Sequence, residues 1–95
     1  MSTFVLTFRG ATDRTLSDAD GAAWMSWFGE LGSAIVEPGS RVGATSTLGA
    51  APSATTVTGY TIIQADDLEA AVVLAKGCPG LSQGGGVEVG EVIAM

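Results

Sequence analysis

The sequence predicts an α+β fold: a four-stranded antiparallel sheet carrying two helices on one face. Three observations predict it. Residues 3–9 alternate apolar and polar side chains at period two, the mark of a half-buried strand. Trp24, Trp27, Phe28, Leu31 and Ile35 recur at helical spacing. Residues 59–95 then read as a strand, a capped helix and a last strand in succession.

In chain order, Phe4, Leu6 and Phe8 form one face of the first strand, fully apolar and expected to meet the helices. Thr3, Val5, Thr7 and Arg9 form the other. Residues 10–16 are a polar connection. Ser17 followed by Asp20 makes a capping box, and the helix it opens is expected to run to about Val36. Gly29 and Gly32 weaken that helix by about 1 kcal/mol each relative to alanine. Pro38 and Gly39 are expected to end it.

Residues 41–57 are rich in Gly, Ala, Ser and Thr. Strand character is weak over 42–48 and stronger over 55–58, with a loop at 49–53 between them. One strand is expected here, or a ragged hairpin. Residues 59–65 form a better strand, with Tyr60, Ile62 and Gln64 on one face and Thr61, Ile63 and Ala65 on the other. Asp66 with Glu69 three positions on matches a capping box, and both acids suit the positive end of the helix dipole. Leu68, Ala71, Val72 and Ala75 are expected to be its buried stripe. Gly77 is a candidate for the left-handed closing position. In the last strand, residues 87–95, the alternation breaks at Gly90, which suggests a bulge or burial on both faces.

The order β-α-β-β-α-β is the ferredoxin-like split. The sheet face away from the helices is expected to carry Val5, Ile63 and threonines, too apolar to stay wet. Packing against the same face of a second copy answers this and predicts a homodimer. A chain of 95 residues supports one domain, 1–95, and buries a modest fraction of its surface alone.

Composition narrows the function classes. Hydrophobic residues make up 46% and charged residues 15% of the chain, which argues against disorder. Ten acids against four bases give a net charge of −6. No basic patch can be built from Arg9, Arg14, Arg41 and Lys76, so neither a nucleic-acid partner nor an anionic membrane is expected. The first residues show no basic n-region followed by an apolar run, and no window reaches the ~20 apolar residues of a membrane span. The single Cys78 cannot form an internal disulfide. The expected compartment is the cytoplasm.

Residue types that carry chemistry are sparse. There is no histidine and one cysteine, so the usual zinc clusters, and any metal or cofactor site, are not expected. Asp66 and Asp67 read as helix caps before they read as cation ligands. Cys78 follows a helix C-terminus, where nothing lowers its pKa, and no histidine is present to activate it. Gly84, Gly85 and Gly86 precede a strand, whereas a phosphate loop needs a helix after its glycines. Trp24 and Trp27 fit a core, with one indole at a pocket mouth as the alternative. Arg9 closes the first strand on the face given to the dimer, where a cation needs a carboxylate partner or an anionic ligand; an exposed strand end is the plainer placement. Asp13, Ser46 and Tyr60 are the other polar candidates. The ligand-binding set is therefore Arg9, Trp27, Ser46 and Tyr60, with no catalytic residue assigned.

Several stretches resemble the YCII-related family. They are Gly59-Tyr-Thr-Ile-Ile-Gln-Ala-Asp-Asp-Leu-Glu-Ala-Ala71, Ala75-Lys-Gly-Cys-Pro-Gly80, Gly84-Gly-Gly-Val-Glu-Val-Gly-Glu-Val92 and Trp24-Met-Ser-Trp-Phe-Gly-Glu-Leu-Gly32. The resemblance is strong from Gly59 onward and loose over 10–23 and 41–58. It implies a dimeric α+β barrel, in which two such sheets face each other. Relatives of this architecture include cofactor-free isomerases, dehydrochlorinases and monooxygenases. The His-Asp pair proposed as catalytic in some members does not carry over to a chain without histidine, and the Asp-Gly-Pro-Phe segment of another branch is absent.

Two readings follow. The first is a non-catalytic homodimer that binds a small apolar molecule or serves as an interaction or regulatory subunit. The second, resting on the resemblance alone, is a cofactor-independent enzyme for a small aromatic or lactone-like substrate. The enzyme needs a cavity between sheet and helices that holds Arg9 or Tyr60.

Overall fold

The computed structural model describes residues 1–13 and 15–94. Arg14, in the first connection, and Met95, expected in the last strand, lie outside the described residues. The elements run β1 (Ser2–Ala11), α1 (Asp18–Leu31), β2 (Ile35–Arg41), β3 (Thr55–Ala65), α2 (Leu68–Ala75) and β4 (Gly86–Glu91). The sheet order is β2-β3-β1-β4, with every neighbouring pair antiparallel. This is the ferredoxin-like β-α-β-β-α-β fold, an α+β architecture with two helices over one sheet face.

The helix side of the sheet is set by β1. Phe4, Leu6 and Phe8 are buried there together with Trp27 and Leu31 of α1 and Ala71 and Ala75 of α2. Residues paired across an antiparallel ladder share a face. Phe4 pairs with Ile63, Leu6 with Thr61 and Phe8 with Gly59, so the aromatic face of β1 draws Ile63 inward, where it is 0% exposed. This corrects the expectation that Ile63 lines the outer face. Ile62, opposite Val5, lies there instead. Thr61 is buried too, and its hydroxyl donates to the Pro38 carbonyl at 2.9 Å.

The capping box forms as expected: the Asp20 amide donates to Ser17 Oγ at 3.2 Å, and the Ser17 amide to Asp20 Oδ2 at 2.9 Å. The helix stops five residues short of Val36. Gly32 takes φ 51°, its N–H donates to the Phe28 carbonyl, and a 3-10 turn follows over Gly32–Ala34. Ile35 and Val36, β-branched residues, open β2, and Ile35 pairs with Ile63. Pro38 and Gly39 thus sit within an edge strand, where proline is tolerated, and register shifts flank them.

Residues 42–54 form no regular strand, and 55–58 join 59–65 in a single eleven-residue β3. The bulge falls there, not at Gly90. Phe8 pairs with Gly59 but Arg9 with Val57, which leaves Thr58 as the extra residue, while β1 and β4 run in unbroken register through Gly90. β4 ends at Glu91, one amide bond (Val92 to Thr3, 2.9 Å) carries the pairing further, and Val92 and Ile93 are exposed. Gly85 enters β4 so close to β1 that a Cβ on it would overlap the Arg9 carbonyl oxygen.

α2 is rotated from its expected setting. Ala71 and Ala75 are buried and Ala70 and Leu74 partly so, while Leu68, Val72 and Val73 are exposed. The helix is apolar around most of its circumference, so periodicity alone does not choose the buried face. Small side chains face the core because Trp27 already fills it: a Cβ on Gly77 would lie 2.8 Å from the Trp27 indole nitrogen. The cap is Asp67, whose carboxylate accepts from the Ala70 amide at 2.8 Å, and not Asp66. Gly77 does not take a positive φ; Gly32, Gly39, Gly49 and Gly84 do.

Candidate functional site

Three regions of this fold bear on the residues singled out from the sequence: the space between sheet and helices, the outer sheet face, and the loop end of the sheet. The first is occupied by aromatic rings. Phe8 meets Trp24 edge to face at 4.9 Å and Trp27 at 5.8 Å, and Phe28 closes against Trp27 at 5.5 Å. Such pairs favour edge-on contact between ring quadrupoles. Both indole N–H groups are bonded within the protein, Trp27 to the Leu74 carbonyl at 3.3 Å and Trp24 to Gln83 Oε1 at 3.0 Å. Trp27 is 3% exposed. The structure therefore places it in the core.

Cys78 is buried in the same core. Burial pushes its thiol pKa up, and the Gly80 and Leu81 N–H groups offset this only in part. The folded state thus holds the thiol proton more tightly than the unfolded one. Stability contributed by this group is present below the unfolded thiol pKa, about 8.5, and declines as pH rises above it. We expect iodoacetamide to leave Cys78 unmodified at pH 8 in the folded chain and to label it in urea. Labelling at equal rates in both would show that the thiol is accessible.

The outer sheet face carries Thr3, Val5, Thr7 and Arg9 from β1, and Val57, Tyr60, Ile62 and Gln64 from β3, all half-buried. Glu88 and Gly90 of β4 flank Thr7 and Val5. Neither helix packs on this side. Arg9 and Tyr60 lie one step apart on it, since Tyr60 is opposite Thr7.

At the loop end, a shallow cleft of ≈ 320 Å³ is lined by Thr12, Thr45, Thr47, Ser53, Thr55 and Thr56, with Ala51 and Pro52. Arg9 is moored beside it. Its Nε donates to Thr55 Oγ1 at 2.9 Å, and one terminal nitrogen donates to the Thr55 carbonyl at 2.8 Å and to the Pro52 carbonyl at 3.4 Å. Ser46 is exposed on the loop and lies between two lining residues without being one. Asp13 is exposed.

The structure thus groups Arg9 with Tyr60 on one face, puts Trp27 on the other side of the sheet, and leaves Ser46 on the exposed loop. The cleft threonines form no motif in the sequence, because they are scattered from position 12 to 56. No group of three or more His, Cys, Asp or Glu side chains among the described residues is placed to hold a metal, and no helix among them is long and apolar enough to cross a membrane. No known family model, curated protein or solved structure matches the chain.

Proposed function

We propose that the chain is a YCII-related, non-catalytic homodimeric module that pairs through its outer sheet face and binds a small molecule at the edge of that face. The observation that carries this reading is the half-buried set Val5, Val57, Tyr60 and Ile62, which no helix covers. A ten-residue strand in a four-stranded sheet spans about 33 by 19 Å. Because β2 and β4 have only 7 and 6 residues, about 600 Å² is the upper bound of projected area, and the flanking loops complete the ~800 Å² per partner of a standard stable interface. Covering half-exposed apolar side chains contributes about 1 kcal/mol each. The threonine hydroxyls can hydrogen-bond across a two-fold axis.

Against a catalytic role stands the filled space between sheet and helices, where a relative of the enzyme kind would need its cavity. Arg9 and Tyr60 lie on the other side of the sheet. The proposed setting is the cytoplasm, in keeping with one unpaired, buried thiol.

Native mass spectrometry of the protein purified from its source cell tests this. The expected result is a species of twice the chain mass that carries an additional small molecule, released on denaturation. A single-chain species at micromolar concentration contradicts it.

A further inference from the structure

We propose that Arg9 and the threonine-lined cleft beside it bind the carboxylate group of a small organic acid, whose apolar body lies against Ala51 and Pro52 of that cleft. This deepens the reading above: it takes from it the small ligand and not the second copy.

The guanidinium has five donors, and three hydrogen bonds hold it, all to neutral oxygens of Thr55 and Pro52. Among the described residues no carboxylate pairs with it, and the second terminal nitrogen has no protein acceptor. No buried side-chain nitrogen or oxygen lacks a partner, so that nitrogen faces solvent. A cation fixed at two of its nitrogens and open at the third is pre-organised for an anion.

In the neighbouring cleft Thr12 donates to the Ala54 carbonyl and Thr45 and Thr56 bond each other, while the hydroxyl protons of Thr47, Ser53 and Thr55 are used in no hydrogen bond among the described residues. Hydroxyls line it and no acidic side chain does, so an entering carboxylate meets no repulsion at close range. Its volume of ≈ 320 Å³ sits at the low end for small-molecule sites, about 300–1,000 Å³. One guanidinium matches one negative charge. The net charge of −6 opposes a dianion more than a monoanion, which favours carboxylate over phosphate. Ala51 and Pro52, whose carbonyl one Arg9 nitrogen meets, supply apolar surface next to the charge.

The test is titration of the full-length chain, followed by backbone amide shifts and calorimetry, with benzoate, benzyl alcohol and inorganic phosphate. Benzoate is expected to saturate and to move the amides of Arg9, Ala51 and Thr55. Arg9→Gln is expected to weaken it about tenfold or more, and Arg9→Lys to restore part of the loss. Should Arg9→Gln fail to fold, Thr47→Val with Ser53→Ala removes exposed cleft hydroxyls and is expected to weaken benzoate as well. Equal binding of benzyl alcohol, tighter binding of phosphate, shifts confined to another surface, or benzoate affinity unchanged in these variants overturns the proposal. Subunit mass measured on the same samples separates the two readings: a dimer without benzoate binding sinks this one alone, and a monomer that binds benzoate upholds it.

Discussion

Replacing Trp27 with alanine is expected to remove about 3–5 kcal/mol of stability. The indole is the joint between three elements. It meets Trp24 of α1 and Phe8 of β1 edge to face, lies tilted against Phe28, and reaches the Leu74 carbonyl of α2. Truncation leaves a cavity whose walls are other rings, which cannot collapse without moving β1. A domain of this size has about 5–15 kcal/mol in all, so the variant should unfold near physiological temperature or lose about 2 M from its urea midpoint. Trp27→Phe keeps a ring and loses the indole hydrogen bond. The Leu74 carbonyl retains the Gly77 amide at 3.4 Å, so this variant should lose about half as much. A Trp27→Ala chain as stable as the wild type would mean that the core is not organised around this side chain.

Ile62→Lys is expected to split the proposed dimer while leaving each subunit folded. Ile62 is half-buried at the middle of the outer face, opposite Val5 and Glu37. In a lone subunit an ammonium there reaches water and has Glu37 nearby, so the fold loses little. In a two-fold dimer the charge is buried twice. At about 2 kcal/mol or more per copy, the dissociation constant rises by roughly a thousandfold. Sedimentation equilibrium of the variant should give single chains at concentrations where the wild type gives pairs. Val73→Lys, on the exposed side of α2, serves as the control and should leave the dimer intact. Dissociation by Val73→Lys and not by Ile62→Lys would move the interface to the helix.

The alternation of Phe4, Leu6 and Phe8 and the Ser17 capping box made the first half of the fold legible, because both signals are local and strong. The β-α-β-β-α-β order was legible for the same reason, though β2 was placed too late. At Ile35 a helical stripe and a strand opening share the same residue, and the choice was made by Gly32 stopping the helix and by pairing with Ile63. The outer face was half legible. Val5 and the threonines were assigned to it, but choosing between Ile62 and Ile63 required the β1–β3 register, a long-range fact. The orientation of α2 was not legible, since an all-apolar helix takes its face from what it meets. The cleft was not legible either: its hydroxyls come from three segments, brought together by the strand ends and the loop over 42–54.

In the proposed dimer the sheet face, and no other surface, meets a second copy. An isotope-filtered NOE experiment on a mixture of labelled and unlabelled chains tests it most directly. Contacts between chains are predicted from the methyls of Val5, Val57 and Ile62. Their absence, or inter-chain contacts only from Leu68, Val72 and Val73 of α2, would contradict it.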